Sequence, residues 1–127
     1  MTLSLGVDMV EVVRIEKAIL KWGGYFLKRV FTTNEITYSK KQASPYQHLA
    51  ARFAVKEAVL KALGSGFTRD VLWTDIEVKN EKSGRPRVKL SGSIKKIKAR
   101  LRVQNIIISI SHTYSHALAG VILVSKQ

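Results

Sequence analysis

Four side chains stand where their chemistry conflicts with their surroundings: Asp8, Glu57, Lys61 and His112. Asp8 lies late in LSLGVDMV, an alternating stretch that reads as a strand, with Leu3, Leu5, Val7 and Met9 on one side and Ser4, Gly6, Asp8 and Val10 on the other. Glu57 and Lys61 are one turn apart in an otherwise apolar helical stretch, and His112 ends the strand-like run NIIISISHT. Two carboxylates are too few for an all-protein Mg²⁺ cage. Mg²⁺, however, usually keeps waters and recruits phosphate oxygens from its substrate. A metal–pyrophosphate site is the chemistry these residues could support, with Lys61 as a point charge for a phosphate oxygen. Blander roles compete: Asp8 as a cap for the helix that follows, Glu57 and Lys61 as a surface ion pair worth roughly 0.3–0.5 kcal/mol, and His112 as a packed strand-end histidine.

The element that must carry Glu57 and Lys61 is SPYQHLAARFAVKEAVLKALGSG, residues Ser44 to Gly66. Ser44 suits the N-cap, Pro45 the first helical position and Gln47 a capping box, and Gly64 the stop. Leu49, Phe53, Leu60 and Leu63 gather on one face, and Ala51, Val55, Ala58 and Ala62 on the opposite one, so the helix is expected to be buried. Glu57 and Lys61 fall between those faces, and Ala50 and Ala54 on the same arc would leave clearance for a ligand. Gly64, Ser65 and Gly66 offer backbone N–H groups to a phosphate, although a helix-terminating loop needs the same residues.

The remaining elements follow in order. Glu11 to Trp22 is helical, with Val12, Ile15, Ile19 and Trp22 inward and Arg14, Lys17 and Lys21 outward. Gly23-Gly24 breaks it, and YFLKRVF adds a short apolar segment carrying Lys28 and Arg29. Thr32 with Glu35 forms a capping box for a short helix toward Lys41, which makes Glu35 a cap before it is a base. WTDIEVKN and RVKLSG form a hairpin across NEKSGRP. Ser91 to Arg102 is a short helix with Ile94, Ile97 and Leu101 inward and its lysines and arginines outward. Two strands joined by a tight turn near Tyr114 and Ser115 close the chain.

The 127 residues, 46% hydrophobic, are expected to form one domain spanning 1–127. Without cysteine, thiolate metal sites, disulfides and a cysteine nucleophile are excluded. No apolar run reaches a membrane span and no signal segment opens the chain, so a cytoplasmic location is expected. Lys and Arg number 22 against 9 acids, a net charge of +13, which calls for an anionic partner. Motifs of single-strand or RNA recognition are absent.

GVDMVEVVRI, RFAVKEAVLKALGSG and ISISHTYSHALA resemble, in order and spacing, the three motifs of the 4′-phosphopantetheinyl transferases, and more particularly the short bacterial holo-acyl-carrier-protein synthase group. The resemblance spans nearly the whole chain. It implies an α+β fold with a small antiparallel sheet packed on the long central helix. It implies transfer of 4′-phosphopantetheine from coenzyme A to a serine of apo-acyl carrier protein, releasing adenosine 3′,5′-bisphosphate, for fatty acid biosynthesis. By that resemblance Asp8 and Glu57 hold Mg²⁺, Lys61 binds phosphate, and His112, Gly64, Ser65, Gly66 and Pro86 lie near the coenzyme. Arg14, Lys17, Lys21 and Arg29 would face the acidic recognition helix of the carrier protein. The resemblance also implies a homotrimer with sites shared between subunits, and neither a nucleic acid nor a membrane as partner. Two other classes compete: a small basic nucleic-acid-binding protein, and a metal-dependent phosphohydrolase using the same acids and lysine.

Overall fold

The computed structural model describes residues 1–64 and 70–126. The first strand, β1 (Thr2–Glu11), keeps the alternation read from the sequence. The face it turns inward is the one bearing Ser4, Gly6, Asp8 and Val10, while Leu3, Leu5 and Met9 are 63%, 66% and 65% exposed. The reason is the central helix α4 (Pro45–Leu63), which approaches β1 to backbone contact. A Cβ on Gly6 would lie 1.9 Å from the Ala58 carbonyl oxygen. Opposite it stand Ala58 and Ala62, both buried, and Ser4 Oγ donates to the Ala62 carbonyl at 2.5 Å. The space that Gly6 leaves is therefore filled by helix backbone and not by a ligand.

α4 is buried almost all round, as its two apolar faces predict, with eleven of its 19 residues in the interior. Its start differs in detail from the expectation. Ser44 occupies the N-cap position before Pro45, but at φ −127°, ψ 77° its hydroxyl makes no capping bond and no box forms with Gln47. Gly64, at φ +92°, ends the helix by donating its N–H to Leu60 O at 3.1 Å. Ala50 and Ala54 are fully buried core residues, so they provide tight packing and not the clearance expected of them.

β1 pairs antiparallel with β5 (His116–Ser125), which pairs antiparallel with β4 (Val103–His112), giving the sheet order β1-β5-β4. Ala117, Ala119, Val121 and Leu123 of β5 face α4 and are buried. β2 (Ile76–Asn80) and β3 (Pro86–Leu90) form the separate hairpin. α5 (Ser93–Arg100) buries Ile94 and Ile97, within narrower bounds than its periodicity predicts. On α1 (Val12–Trp22), Val12 and Ile15 are buried, whereas Trp22, expected inward, is 56% exposed. α2 (Gly24–Val30) follows, and α3 (Thr33–Lys40) begins with the predicted capping box: Thr32 accepts from the Glu35 N–H and Glu35 Oε1 accepts from the Thr32 N–H.

Two charged residues inside α4 were not anticipated as core. Lys56 is fully buried, 2.8 Å from Glu35 Oε1, and also donates to the carbonyls of Trp73 and Ile76. The other Glu35 oxygen accepts from the Val78 N–H at 2.8 Å. Arg52, 4% exposed, donates through Nη2 to Asn80 Oδ1 at 2.8 Å and lies 4.2 Å from the Tyr38 ring centroid.

Because Gly6 meets backbone atoms that cannot step aside, Gly6→Ala is expected to destabilise the fold by ~1–3 kcal/mol or more, read as a lower midpoint in urea unfolding. Gly24→Ala, where an added methyl meets nothing within 4 Å, serves as the control and should leave the midpoint nearly unchanged.

Candidate active site

Asp8 points from the inner face of β1 at the last turns of α4, where Glu57 and Lys61 project one turn apart. Lys61 Nζ lies 3.0 Å from Asp8 Oδ1 and donates to the Val7 carbonyl at 3.1 Å. The lysine is thus bonded across to β1, and the alternative of an isolated Glu57–Lys61 surface pair falls away. Capping of α1 by Asp8 falls away too, since Glu11 occupies that N-cap position and no side chain caps the helix.

No described residue donates a hydrogen bond to the Glu57 carboxylate. Burial, and after it the negative charge of Asp8, pushes its pKa above the ordinary carboxylate value, with Lys61 opposing the shift. Two carboxylates that repel each other beside a cleft are a natural seat for a divalent cation. Among the described residues no third His, Cys, Asp or Glu joins them. The donor set therefore fits a hard ion that leaves most of its coordination to water and phosphate oxygens, which is the behaviour of Mg²⁺. The cleft beside them measures about 410 Å³ and is lined by Asp8, Arg14, Phe26, Phe53, Glu57 and Lys61. Its apolar walls come from β1, α1, α2 and α4.

The other expected site residues divide into three groups. Arg14 reaches the rim of this cleft, closer to the carboxylates than an outward stripe on α1 suggests. Lys17 and Lys21 are exposed on α1, and Arg29, exposed on α2, donates to Tyr25 OH at 3.1 Å beside a groove of about 540 Å³ lined by Trp22, Tyr25 and Phe26. Phe26 lines both depressions, so the groove lies next to the cleft. Gly64 lies just beyond Lys61, and its N–H is committed to the helix end, the helix-terminating role that competed with phosphate binding in the sequence. Ser65 and Gly66 lie outside the described residues.

His112 and Pro86 are elsewhere. The His112 ring meets the His48 ring at 5.3 Å between centroids, and His48 in turn meets Tyr38 at 5.9 Å. Nine residues of helix separate His48 from Glu57, about 13 Å along the axis. The His48 pKa is lowered, first by burial and then by the positive charges of His112 and Arg52. Pro86 pairs with Asn80, the residue that holds Arg52. Arg52, Tyr38, Lys79 and Asn80 line a pocket of about 250 Å³, and Arg52 Nε has no hydrogen-bond partner. This second, cationic locus has no counterpart in the sequence expectations, because the partners of Arg52 come from segments distant in the chain. Its signal was present: a charge on a buried helix with no carboxylate three or four residues to either side.

Residues 4–119 match the sequence profile of the 4′-phosphopantetheinyl transferase superfamily. Among curated relatives, the holo-[acyl-carrier-protein] synthase of Solibacter usitatus is 42% identical over 123 residues, covering 97% of this chain and 98% of its own. That of Clostridium tetani is 47% identical over 120 residues, covering 94% of this chain and 93% of its own. Among solved structures, the holo-[acyl-carrier-protein] synthase of Neisseria meningitidis superposes with a TM-score of 0.87 at 28% identity, covering 96% of this chain and 98% of that one. The Helicobacter pylori synthase in complex with coenzyme A does so with a TM-score of 0.82 at 31% identity, covering 94% and 99%. The match over residues 4–119, the identity to curated relatives and the shared fold agree, and the chain belongs to the 4′-phosphopantetheinyl transferase superfamily.

Proposed function

We propose that this chain is a holo-[acyl-carrier-protein] synthase, transferring 4′-phosphopantetheine from coenzyme A to a serine of apo-acyl carrier protein with release of adenosine 3′,5′-bisphosphate. The observation that carries the reading is the convergence of Asp8, Glu57 and Lys61 on one cleft of a fold shared with synthases, one of them in complex with coenzyme A. The product serves fatty acid biosynthesis, and the setting is the cytoplasm. Among the described residues no helix is long and apolar enough to cross a membrane. A small basic nucleic-acid-binding protein, the competing expectation, finds no support among the relatives and leaves the paired carboxylates without a role.

In the reaction the serine oxygen forms a bond to the β-phosphorus of coenzyme A, and the bond from that phosphorus to the oxygen of the adenosine bisphosphate breaks. Asp8 and Glu57 would hold Mg²⁺, which when bound supplies Lewis-acid stabilisation of the pyrophosphate. Lys61, held at the cleft by Asp8 and the Val7 carbonyl, offsets charge on the phosphoryl oxygens as it redistributes. Glu57 takes the serine proton. Burial, and after it the charge of Asp8, raises its proton affinity above that of an ordinary carboxylate. Glu35 is set aside as a base, since both of its oxygens are engaged in the capping box, the Lys56 pair and the Val78 N–H.

The apolar outer face of the sheet supports assembly into a homotrimer. Leu3, Leu5, Met9, Ile107 and Leu118 are exposed there, more apolar surface than a solitary domain usually leaves in water. Sites shared between neighbouring subunits also account for His112, Pro86 and Arg52, which lie apart from Asp8 within one chain. Each coenzyme A would meet the carboxylates of one subunit and the cationic locus of the next. Lys17, Lys21 and Arg29, with Arg14 at the cleft, receive the acidic carrier protein.

Incubation with coenzyme A, Mg²⁺ and apo-acyl carrier protein should add one phosphopantetheine group to the carrier by intact mass, and chelator should prevent it. Release of phosphate or pantetheine phosphate without any acceptor would instead mark a phosphohydrolase. Glu57→Gln is expected to abolish Mg²⁺-dependent transfer, with kcat falling by a factor of about 10² or more. Near-normal turnover at saturating Mg²⁺ would sink both of its assigned roles. Lys17→Glu with Lys21→Glu should raise KM for the carrier protein several-fold and steepen no dependence on coenzyme A, because rim charges act on encounter. Finally, Asp8→Asn and His112→Ala chains, each impaired alone, should recover activity when unfolded together and reassembled. Absence of such complementation would exclude shared sites.

A further inference from the structure

No described residue hydrogen-bonds the Glu57 carboxylate, which is half-buried beside Asp8 and Lys61. Its immediate neighbour Lys56 is the reverse. That side chain is fully buried and its three donors meet Glu35 Oε1, Trp73 O and Ile76 O. Glu35 is equally committed, to Lys56, the Thr32 N–H and the Val78 N–H. The knot therefore ties the middle of α4 to the start of α3 and the start of β2. Two residues in succession on a helix point about 100° apart. One is locked in the interior while the other is presented to the cleft.

Side chains reach roughly 6 Å from a helix axis, so a roll of α4 by about 20° would carry the Glu57 carboxylate about 2 Å. A displacement of even about 1 Å in a reacting constellation can cost ~100-fold in rate. The contact with Gly6 limits how near α4 comes to β1, and Ser4 on the Ala62 carbonyl and Lys61 on Asp8 and the Val7 carbonyl tie the last turns of the helix to that strand. The directional bonds of Lys56 add a second tie, to Glu35, Trp73 and Ile76, from the residue next to Glu57 itself. Apolar replacements of a buried ion pair are often neutral or favourable for stability, which leaves direction as the property that a lysine supplies here and a methionine does not.

We propose that Lys56, through its buried pair with Glu35, is a positioning residue that fixes the roll of α4 and so aims Glu57 at the cleft beside Asp8. This rests on the transferase reading of the cleft. The test is the paired variant Lys56→Met with Glu35→Gln, which leaves neither charge buried alone. It is measured by thermal unfolding, by calorimetric titration of coenzyme A with and without Mg²⁺, and by steady-state transfer. The expected result is a cooperative unfolding transition at a lower midpoint, since the Trp73 and Ile76 carbonyls lose their donor, with a Mg²⁺-dependent gain in coenzyme A affinity reduced ~10-fold or more, a comparable fall in kcat, and an unchanged KM for the carrier protein.

A folded double variant that keeps its Mg²⁺-dependent affinity and its kcat would overturn the proposal. If the pair does not fold, Glu35→Gln alone carries the same test, because it weakens the pull on Lys56 while retaining an oxygen for the cap. An unchanged Mg²⁺ dependence in that variant would likewise overturn it. Failure of the unmodified protein to bind coenzyme A in a Mg²⁺-dependent way would remove the transferase reading itself, an outcome separate from either of these.

Discussion

The contact on which the rest of the structure depends is the approach of α4 to β1, backbone against backbone, at Gly6, Ala58 and Ala62. A side chain at Gly6 would hold the helix off the strand, and Asp8 would then stand apart from Glu57 and Lys61. With the two elements in contact, Lys61 reaches Asp8 Oδ1 and the Val7 carbonyl from one turn beyond Glu57. The same choice inverts the sheet. Small and polar residues face the helix, and the leucines and methionine of β1 are turned outward, where only another copy of the chain or some other apolar surface could cover them. A packing constraint at one glycine thus accounts both for the meeting of Asp8, Glu57 and Lys61 and for the exposed apolar face of the sheet.

Glu57 and Lys56 show how one helix serves two environments. Charge at residue 56 is fully enclosed and compensated by three acceptors, while charge at residue 57 is half-buried and left uncompensated by any hydrogen bond. The enclosed lysine has its pKa lowered by burial, with Glu35 pulling it back up. The uncompensated carboxylate has its pKa raised. A carboxylate in that state is a receptive ligand for a cation and a competent acceptor of a proton. What would make Glu57 useful in the proposed reaction is the absence, among the described residues, of the kind of network that makes its neighbour inert.

Much of this was legible in the chain because it follows from local period and composition. Alternation placed Asp8 and Gly6 on one face of β1, helical period made α4 a buried helix carrying Glu57 and Lys61, and the Thr32–Glu35 capping box appeared where its spacing predicted. What local pattern could not supply was which face turns inward. Hydropathy points the leucines of β1 at the core, but the distance of closest approach to α4 decides otherwise. Ala50 and Ala54 failed as ligand clearance for the same reason, since a small residue beside a ligand and a small residue in tight packing look alike in sequence. Arg52 and Lys56 escaped notice because their partners, Asn80, Glu35 and the carbonyls of Trp73 and Ile76, come from segments whose proximity only the fold establishes.

The net charge of +13 belongs to a different level of the argument from the site. All nine acids lie at or before Glu81, so the ten Lys and Arg beyond it face no acid within their own segment. On α5 they cover the outer face of a helix whose isoleucines are spent on the core, with no exposed apolar anchor among them that could fix a partner in one orientation. A field of that kind acts over about a Debye length, ~8 Å at physiological ionic strength, and raises encounter with anions without choosing among them. Choice belongs to the cleft, where on the proposed reading Asp8, Glu57 and Lys61 take a pyrophosphate and a cation together. On that reading the basic surface and the acidic pair are successive filters, the first for charge and the second for chemistry. This order would let a strongly basic protein keep two carboxylates side by side in its cleft.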